Sequence, residues 1–552
     1  MSDRLELVWP GKDKFLLVPK DSDGKPVWVD RDHPAASEVR LADFTGVVGD
    51  VPEFPYAANL LFTGDSLDVL RILCEVPEYR SIYRGKVKLV YIDPPFNTGQ
   101  AFEHYDDWME HSTWLSFMRE RLLLIRDLLA PDGSVWVHLD DAEQHRMRLL
   151  MDEVFGEGAF VASVAWRAND SSSNNARGFA KDHNPLVVYG RNRRWRPSRL
   201  RDEGKSGHYT NPNNDPRGPW YDGRDVQNPK IRPNLQFDIV APNGNVIQHP
   251  RNGWRWSRET MDAMFLTGEL RFNDAQTVVK RIAYLWEQEG LPPSDIWCDV
   301  LATGSSRGAK NHLKALFPRM LTPELFDTPK PEHLLRRILE LASGEGDIVI
   351  DCFAGSATTA AVAQKLGRRW VTSEILASTV EQFTLPRLTK VVAGEDPGGI
   401  TKAVDWNGGG GFRTVTVGPS MYEDTPFGVL LAEWATNGRF ARAVAGQLGF
   451  EWQPDAAPLC GARGRMRLAV VDGAVGTEEI RQIVGALGEK ERVTVVAKSF
   501  LPQAESLLAE ISPGSRIRKA PRDLLTSGAQ RMRRRTDPVP RHTDDATEGS
   551  RS

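Results

Sequence analysis

Hydrophobic and polar positions change rhythm several times along the chain. Residues 1–58 are mixed, rich in Pro and Asp, and predict an irregular lead-in. From 59 the texture is α/β. Asn59–Thr63 is a short apolar run ending at Gly64-Asp65, and Ser66–Leu73 follows with helical spacing. Val87–Ile92 predicts a buried strand that ends at Asp93-Pro94-Pro95-Phe96. Trp114–Leu129 carries apolar residues at 114, 115, 117, 118, 122, 125, 128 and 129, the spacing of a helix. Pro131-Asp132-Gly133 breaks it, and Ser134–Leu139 predicts the next strand. Strands alternating with helices of this length predict a doubly wound, mostly parallel sheet with helices on both faces.

After 160 the pattern degrades. Segments 166–184 and 202–254 are dense in Asn, Gly, Pro, Arg and Trp, which predicts an inserted region, 161–320, built on loops and short strands. Regular texture returns with a helix over Pro331–Leu341, opened by Pro331. Asp347–Asp351 predicts a strand, Cys352–Thr358 a loop leading into a helix to Leu366, and Arg369–Thr372 a strand ending near Glu374. The α/β domain therefore divides into 59–160 and 321–395 around the insertion. Glycines 408–411 predict a linker, 412–520 a small α/β domain with strands at 467–471 and 492–497, and 521–552 a disordered tail.

Composition narrows the function classes. The 552 residues suffice for ~3–4 domains. No apolar run approaches the ~18 residues of a membrane span, and the opening lacks the apolar core of a signal peptide, so a cytoplasmic protein with no membrane partner is expected. The four cysteines are scattered without a C-x-x-C, which argues against a disulfide scaffold and a structural zinc site. His104, His111, His138 and His145 form no ligand set; no metal is expected, and they are given no role. The net charge of -4 hides an asymmetry: residues 161–320 carry 24 Lys+Arg against 16 Asp+Glu, and the rest carries 46 against 58. Six arginines fall between 191 and 201, with Trp195 among them. Such a basic block fits a solvated face or a nucleic-acid-binding module.

Two motifs carry chemistry. Asp93-Pro94-Pro95-Phe96 follows a buried strand, and in a parallel sheet ligands sit beyond the carboxyl ends of strands. Two prolines fix a turn without backbone donors, leaving carbonyls to accept. An aspartate, a free carbonyl and an aromatic ring can hold the exocyclic amine of a flipped base while stacking on its face. Asp351-Cys-Phe-Ala-Gly-Ser-Ala-Thr-Thr359 reads as strand, turn and helix, with small residues at 354–357 that allow close backbone approach. Glu374 ends the following strand, about 20 residues on, where a carboxylate can bind ribose hydroxyls. The G-x-G-x-x-G of dinucleotide binders is missing, which makes a nicotinamide enzyme remote.

Together the motifs resemble the β-class DNA amino-methyltransferases, in which D-P-P-[YF] precedes an F-x-G-x-G cofactor loop and a target-recognition domain lies between them. Thr328–Ile338, Trp114–Leu129, Gly133–Asp141, Asp182–Tyr189, Asn211–Tyr221 and Gly253–Ser257 are similar to segments of modification subunits from type III restriction systems. The resemblance covers roughly 59–390. Its one departure is Ala357, which stands at the second glycine of the loop.

The resemblance implies a Rossmann-like methyltransferase fold and S-adenosylmethionine as cofactor. It places Asp351, Phe353, Ala354, Gly355, Ser356 and Ala357 beside the methionine part, Glu374 on the ribose, Asp65 near the cofactor's adenine, and Lys330 and Pro331 at the methionine end. Asp93, Pro94, Pro95 and Phe96 become the catalytic tetrapeptide. Aspartate in first position implies adenine N6 rather than cytosine N4. The implied partner is double-stranded DNA read by 161–320, with a homodimer or a restriction subunit as possible associates. In that block Trp195, Trp254 and Trp256 are either wedges into the duplex or a small core beneath the loops. An RNA amino-methyltransferase and an inactive DNA-binding specificity subunit are the alternatives.

Overall fold

The computed structural model describes residues 6–17, 27–97, 101–102, 105–106, 109–171, 178–200, 209–224, 226–287, 290–321, 324–426 and 428–525. The expected tail lies outside them apart from its first five residues. The chain forms two compact units, one made of 1–196 and 294–552 and the other of Pro197–Pro293.

The first unit is organised by a ten-stranded sheet. In chain order its strands are β1 (Ala42–Gly49), β2 (Asn59–Thr63), β3 (Val87–Ile92), β4 (Leu129–His138), β5 (Phe160–Arg167), β6 (His183–Gly190), β7 (Ile296–Trp297), β8 (Ile348–Asp351), β9 (Arg369–Glu374) and β10 (Gly411–Val417). The spatial order is β7-β5-β6-β4-β3-β8-β9-β2-β10-β1. The six strands from β4 to β10 run parallel to their neighbours, whereas β6 and β1 are antiparallel. Central strands such as Ile348–Asp351 are buried along their whole length, as expected where helices cover both faces.

Helix α1 (Ser66–Glu75) starts at Asp65, whose side chain accepts from the Leu67 N–H, and α2 (His111–Leu128) packs against it. Both bury their apolar stripes in the main core, among Leu70, Leu73, Trp114, Leu122 and Ile125. Three more helices frame the second motif: α3 (Glu332–Ala342), α4 (Thr358–Lys365) and α5 (Leu385–Val392). Buried charges join them. Lys365 Nζ lies 2.7 Å from Glu332 Oε2 and 2.5 Å from Asp396 Oδ2, and Arg387 Nη2 lies 3.0 Å from Glu332 Oε1. His312 Nε2 completes the set, 2.7 Å from Asp396 Oδ1. The ammonium of Lys365 occupies the centre that His312, Glu332 and Asp396 could otherwise offer a cation.

The expected boundaries need four corrections. Residues 1–58 are not wholly irregular: β1 closes one edge of the large sheet, and Glu38 and Val39 are tied to Met421 and Gln447 by hydrogen bonds of 2.7 Å. Glycines 408–411 are not a linker between domains, because β10 enters the same sheet between β2 and β1. The insertion is narrower than 161–320, since β5, β6 and β7 extend the sheet and only 197–293 stands as its own unit. Finally, Pro131-Asp132-Gly133 bulges from within β4, whose register shifts between the Val87–Leu129 and Leu89–Ser134 pairs.

The small C-terminal α/β layer holds five strands, Glu451–Trp452, Gly461–Arg463, Met466–Val475, Arg492–Phe500 and Arg516–Lys519, in that spatial order. The second unit carries a three-stranded sheet of Trp220–Arg224, Val279–Tyr284 and Leu270–Phe272. Trp254 packs in its core with Ile239, Ile247, Met261 and Leu270, and Trp256 lies against that core. In the first unit Trp195 is buried as well. Trp195 and Trp254 serve packing rather than presenting wedges, and Trp256 is half-buried against the same core as Trp254. Among the described residues, no helix is long and apolar enough to cross a membrane.

Candidate active site

Strands β3 and β8 are adjacent and parallel, with Val349 opposite Leu89 and Ile350 opposite Val90. The chain leaves β3 for β4 on one side and β8 for β9 on the other, so a crevice opens between their carboxyl ends. Asp93–Phe96 and Asp351–Ser356 leave the sheet side by side there. They line one cavity of about 630 Å³, within the range of small-molecule sites.

The tetrapeptide is held rigidly. The Pro95 carbonyl accepts from Trp114 Nε1 at 2.8 Å. Asn97, in the left-handed region at φ 60°, gives its side-chain N–H to the buried Glu143 at 2.7 Å and accepts from the Met109 N–H at 2.6 Å. His111 reaches the same Glu143 oxygen at 2.5 Å. Lys330 Nζ lies 2.5 Å from Asp93 Oδ2 and 5.2 Å from the centre of the Phe96 ring.

The second wall is a loop of short hydrogen bonds. Asp351 accepts from the Phe353 N–H at 3.0 Å and from the Thr359 hydroxyl at 2.5 Å. Burial pushes the Asp351 carboxyl up to about 7; the Thr359 and Phe353 hydrogen bonds oppose the rise, and the charges of Asp93 and Glu374 add to it. Glu374 accepts from the Gly355 N–H at 3.0 Å and the Leu376 N–H at 3.1 Å, and burial raises its carboxyl too. Gly355 has φ +47°, and a Cβ there would meet the Phe326 ring at 2.8 Å, so the close approach requires glycine. Ala354 donates its N–H to the Ser373 carbonyl at 2.9 Å, and the Ser356 carbonyl accepts from Arg387 at 3.1 Å.

Every residue expected at the site lines this cavity except Ala357 and Pro331. Ala357 lies behind the wall, fully buried, at φ 60° and ψ 34°, so the position does use the left-handed region that suits glycine. Pro331 is the residue before α3 and is buried. Lys330 faces the tetrapeptide. Asp65 has both carboxylate oxygens 2.9 Å from Arg121 Nη2, so this residue orders α1 and α2 as well as the cavity edge.

Sequence reasoning missed several lining residues: Tyr91, His138, Asp140, Trp166, Lys181 and Asn184. His138 carried a usable signal, since it ends an apolar strand beside the Asp93 strand. Trp166 carried none, because the aromatic-rich segment gave no register.

Carboxylates dominate the walls, with Asp65, Asp93, Asp140, Asp141, Asp327, Asp351 and Glu374 against Lys181 and Lys330. That balance suits a cationic sulfonium carrying a ribose, and the Gly355 cradle admits it closely. The residues present therefore fit S-adenosylmethionine.

Residues 87–384 match the DNA methylase family model N6_N4_Mtase. The chain is 29% identical over 387 residues to the type III restriction-modification enzyme StyLTI Mod subunit of Salmonella typhimurium, covering 61% of this chain and 57% of that one. It is 29% identical over 422 residues to the probable type III restriction-modification enzyme HindVI Mod subunit of Haemophilus influenzae, with coverages of 66% and 54%. The EcoP15I Mod subunit of Escherichia coli is 27% identical over 385 residues, with coverages of 57% and 57%. The chain thus spans little more than half the length of these relatives. A family match over more than half of the sequence, with both motifs on one crevice, makes the chain a member of the N6/N4 DNA methylase family.

Proposed function

We propose that the protein is a site-specific DNA methyltransferase that transfers a methyl group from S-adenosylmethionine to N6 of a flipped adenine. We place it as the modification component of a restriction-modification system, acting in the cytoplasm. One observation carries the reading: an ammonium nitrogen already sits on Asp93 and over Phe96, the place an exocyclic amine must take.

An exocyclic amine is a poor nucleophile because its lone pair is delocalised into the ring. Asp93 and the Pro94 carbonyl accept its two hydrogens and favour a tetrahedral nitrogen with a freed lone pair. Phe96 stacks on the base, a contact worth ~1–3 kcal/mol in other base–aromatic pairs. Asp351, Glu374 and the 353–356 backbone hold the cofactor, which when bound supplies an electrophilic methyl. Much of the rate then comes from positioning the amine in line with it. Cys352 needs no part as nucleophile, because burial pushes its thiol well up.

The exposed cations Lys230, Arg232, Arg251, Arg255 and Arg258 on the second unit support contacts to phosphate or guanine edges. Incubating the purified chain with methyl-labelled S-adenosylmethionine and unmethylated genomic DNA or total RNA tests the reading. Label in DNA is expected. Label confined to RNA, or none with cofactor bound, overturns it.

A further inference from the structure

Two buried nitrogens on the cavity wall have no hydrogen-bond partner: His138 Nε2 and Trp166 Nε1. Both side chains are almost wholly buried, at 0% and 1% exposure, and their rings meet edge to face with centres 5.3 Å apart. His138 also lies 5.8 Å from the Phe96 ring at a shallow angle of 30°. Stranding a buried polar group is costly, so two of them beside the catalytic tetrapeptide call for a ligand that satisfies both.

The chemistry of that ligand follows from the protons. Trp166 Nε1 can only donate. His138 Nδ1 lies 2.9 Å from the Tyr91 hydroxyl, itself fully buried. A hydroxyl that donates to Nδ1 leaves the ring proton on Nε2; the other tautomer would strand the Tyr91 proton in the core. Burial, followed by the charge of Lys330, pushes His138 well below the ordinary histidine range, so the ring is neutral. His138 and Trp166 therefore bring two N–H donors to the lining of the cavity that also holds Phe96 and the acceptors of Asp93.

We propose that His138 Nε2–H and Trp166 Nε1–H read ring-nitrogen acceptors of the flipped adenine, while Asp93 takes its amine. This rests on the methyltransferase reading above and adds the residues that recognise the target base. Adenine offers N1, N3 and N7 as acceptors around the amine-bearing ring system. The two donors thus orient the purine in its own plane, a task that stacking on Phe96 cannot perform. Tyr91 acts through His138 as a positioning residue.

The test uses duplexes carrying the site mapped by sequencing DNA from a host expressing the full chain. The target adenine is replaced in turn by 1-deaza-, 3-deaza- and 7-deazaadenine, and kcat/KM is measured for wild type, His138→Phe and Trp166→Phe. Wild type should lose roughly 10- to 100-fold on at least one deaza base. The matching Phe variant should lose a similar factor on adenine but little more on that deaza base. Cofactor affinity by calorimetry should stay within about threefold and the melting temperature should hold, which separates base reading from misfolding. Tyr91→Phe should lower activity on adenine less than His138→Phe does. Equal deaza penalties in wild type and both variants would overturn the inference. A wild type that methylates no DNA maps no site and instead overturns the methyltransferase reading.

Discussion

Lys330 Nζ is 2.5 Å from Asp93 Oδ2 although the two residues belong to different halves of the divided domain. On the proposed function, the ammonium holds the acceptor that the target amine needs. An entering base must therefore displace it, and Lys330 acts as a placeholder that keeps a half-buried carboxylate paired until DNA arrives. In Lys330→Met, the cofactor-free affinity for a duplex carrying the target adenine should rise roughly two- to fivefold over wild type, the range expected for losing one partly exposed ion pair as a competitor. An unchanged or weaker affinity would show that the contact does not compete with the base.

Ala357 bears the cost of a left-handed backbone that glycine avoids. An L residue there loses about 1–2 kcal/mol, part of which is returned by its lower entropy in the unfolded chain. Ala357→Gly should stabilise the cofactor-free protein by up to about 1 kcal/mol and leave S-adenosylmethionine binding equal or tighter. Chemical denaturation and calorimetry check both, and a loss of stability would contradict the account.

Asp351 links stability to pH. Its folded-state value of about 7 lies above that of an unfolded aspartate, so between about pH 4 and 7 the folded protein binds more protons than the unfolded chain. Stability from this group is present at low pH and is lost as pH rises through 7. Asp351→Asn removes the titration while keeping an acceptor for the Phe353 N–H. The stability of the variant relative to wild type should increase by at least about 1 kcal/mol between pH 5 and pH 8 in cofactor-free protein. A difference that stays flat with pH would contradict it.

Lys365 holds two buried carboxylates, Glu332 and Asp396, and through them the helices on either side of the cofactor loop. Lys365→Met leaves both acids without their shared cation and should destabilise the protein by about 3–5 kcal/mol. A melting temperature within a degree of wild type would show that the network is dispensable.

The parallel core was legible because its strands are continuous apolar runs bounded by chemistry. Val87–Ile92 and Asn59–Thr63 appear with the bounds their sequence implies, and the two motifs met because β3 and β8 are neighbours. The edges were not legible. Strand β1, Ala-Asp-Phe-Thr-Gly-Val-Val-Gly, is half exposed and antiparallel, so it carries no buried run to read. Strand β10 hides behind Gly408–Gly410, all at positive φ, whose run resembles a linker but makes a tight entry to the sheet, where Asp50 donates its N–H to the Gly410 carbonyl. The base-reading wall was invisible for a different reason: His138 and Trp166 come together only through pairing across β4, β6 and β5. No spacing in the sequence encodes that encounter.

The most direct measurement is mass spectrometry of nucleosides from the DNA of a methylation-deficient bacterial host expressing the chain, with Asp93→Ala alongside. N6-methyladenine is expected with wild type, and its loss with Asp93→Ala, while the variant still binds S-adenosylmethionine. N4-methylcytosine would keep the mechanism and overturn the choice of base. N6-methyladenine at equal level in both strains would contradict the role given to Asp93, and with it the central claim.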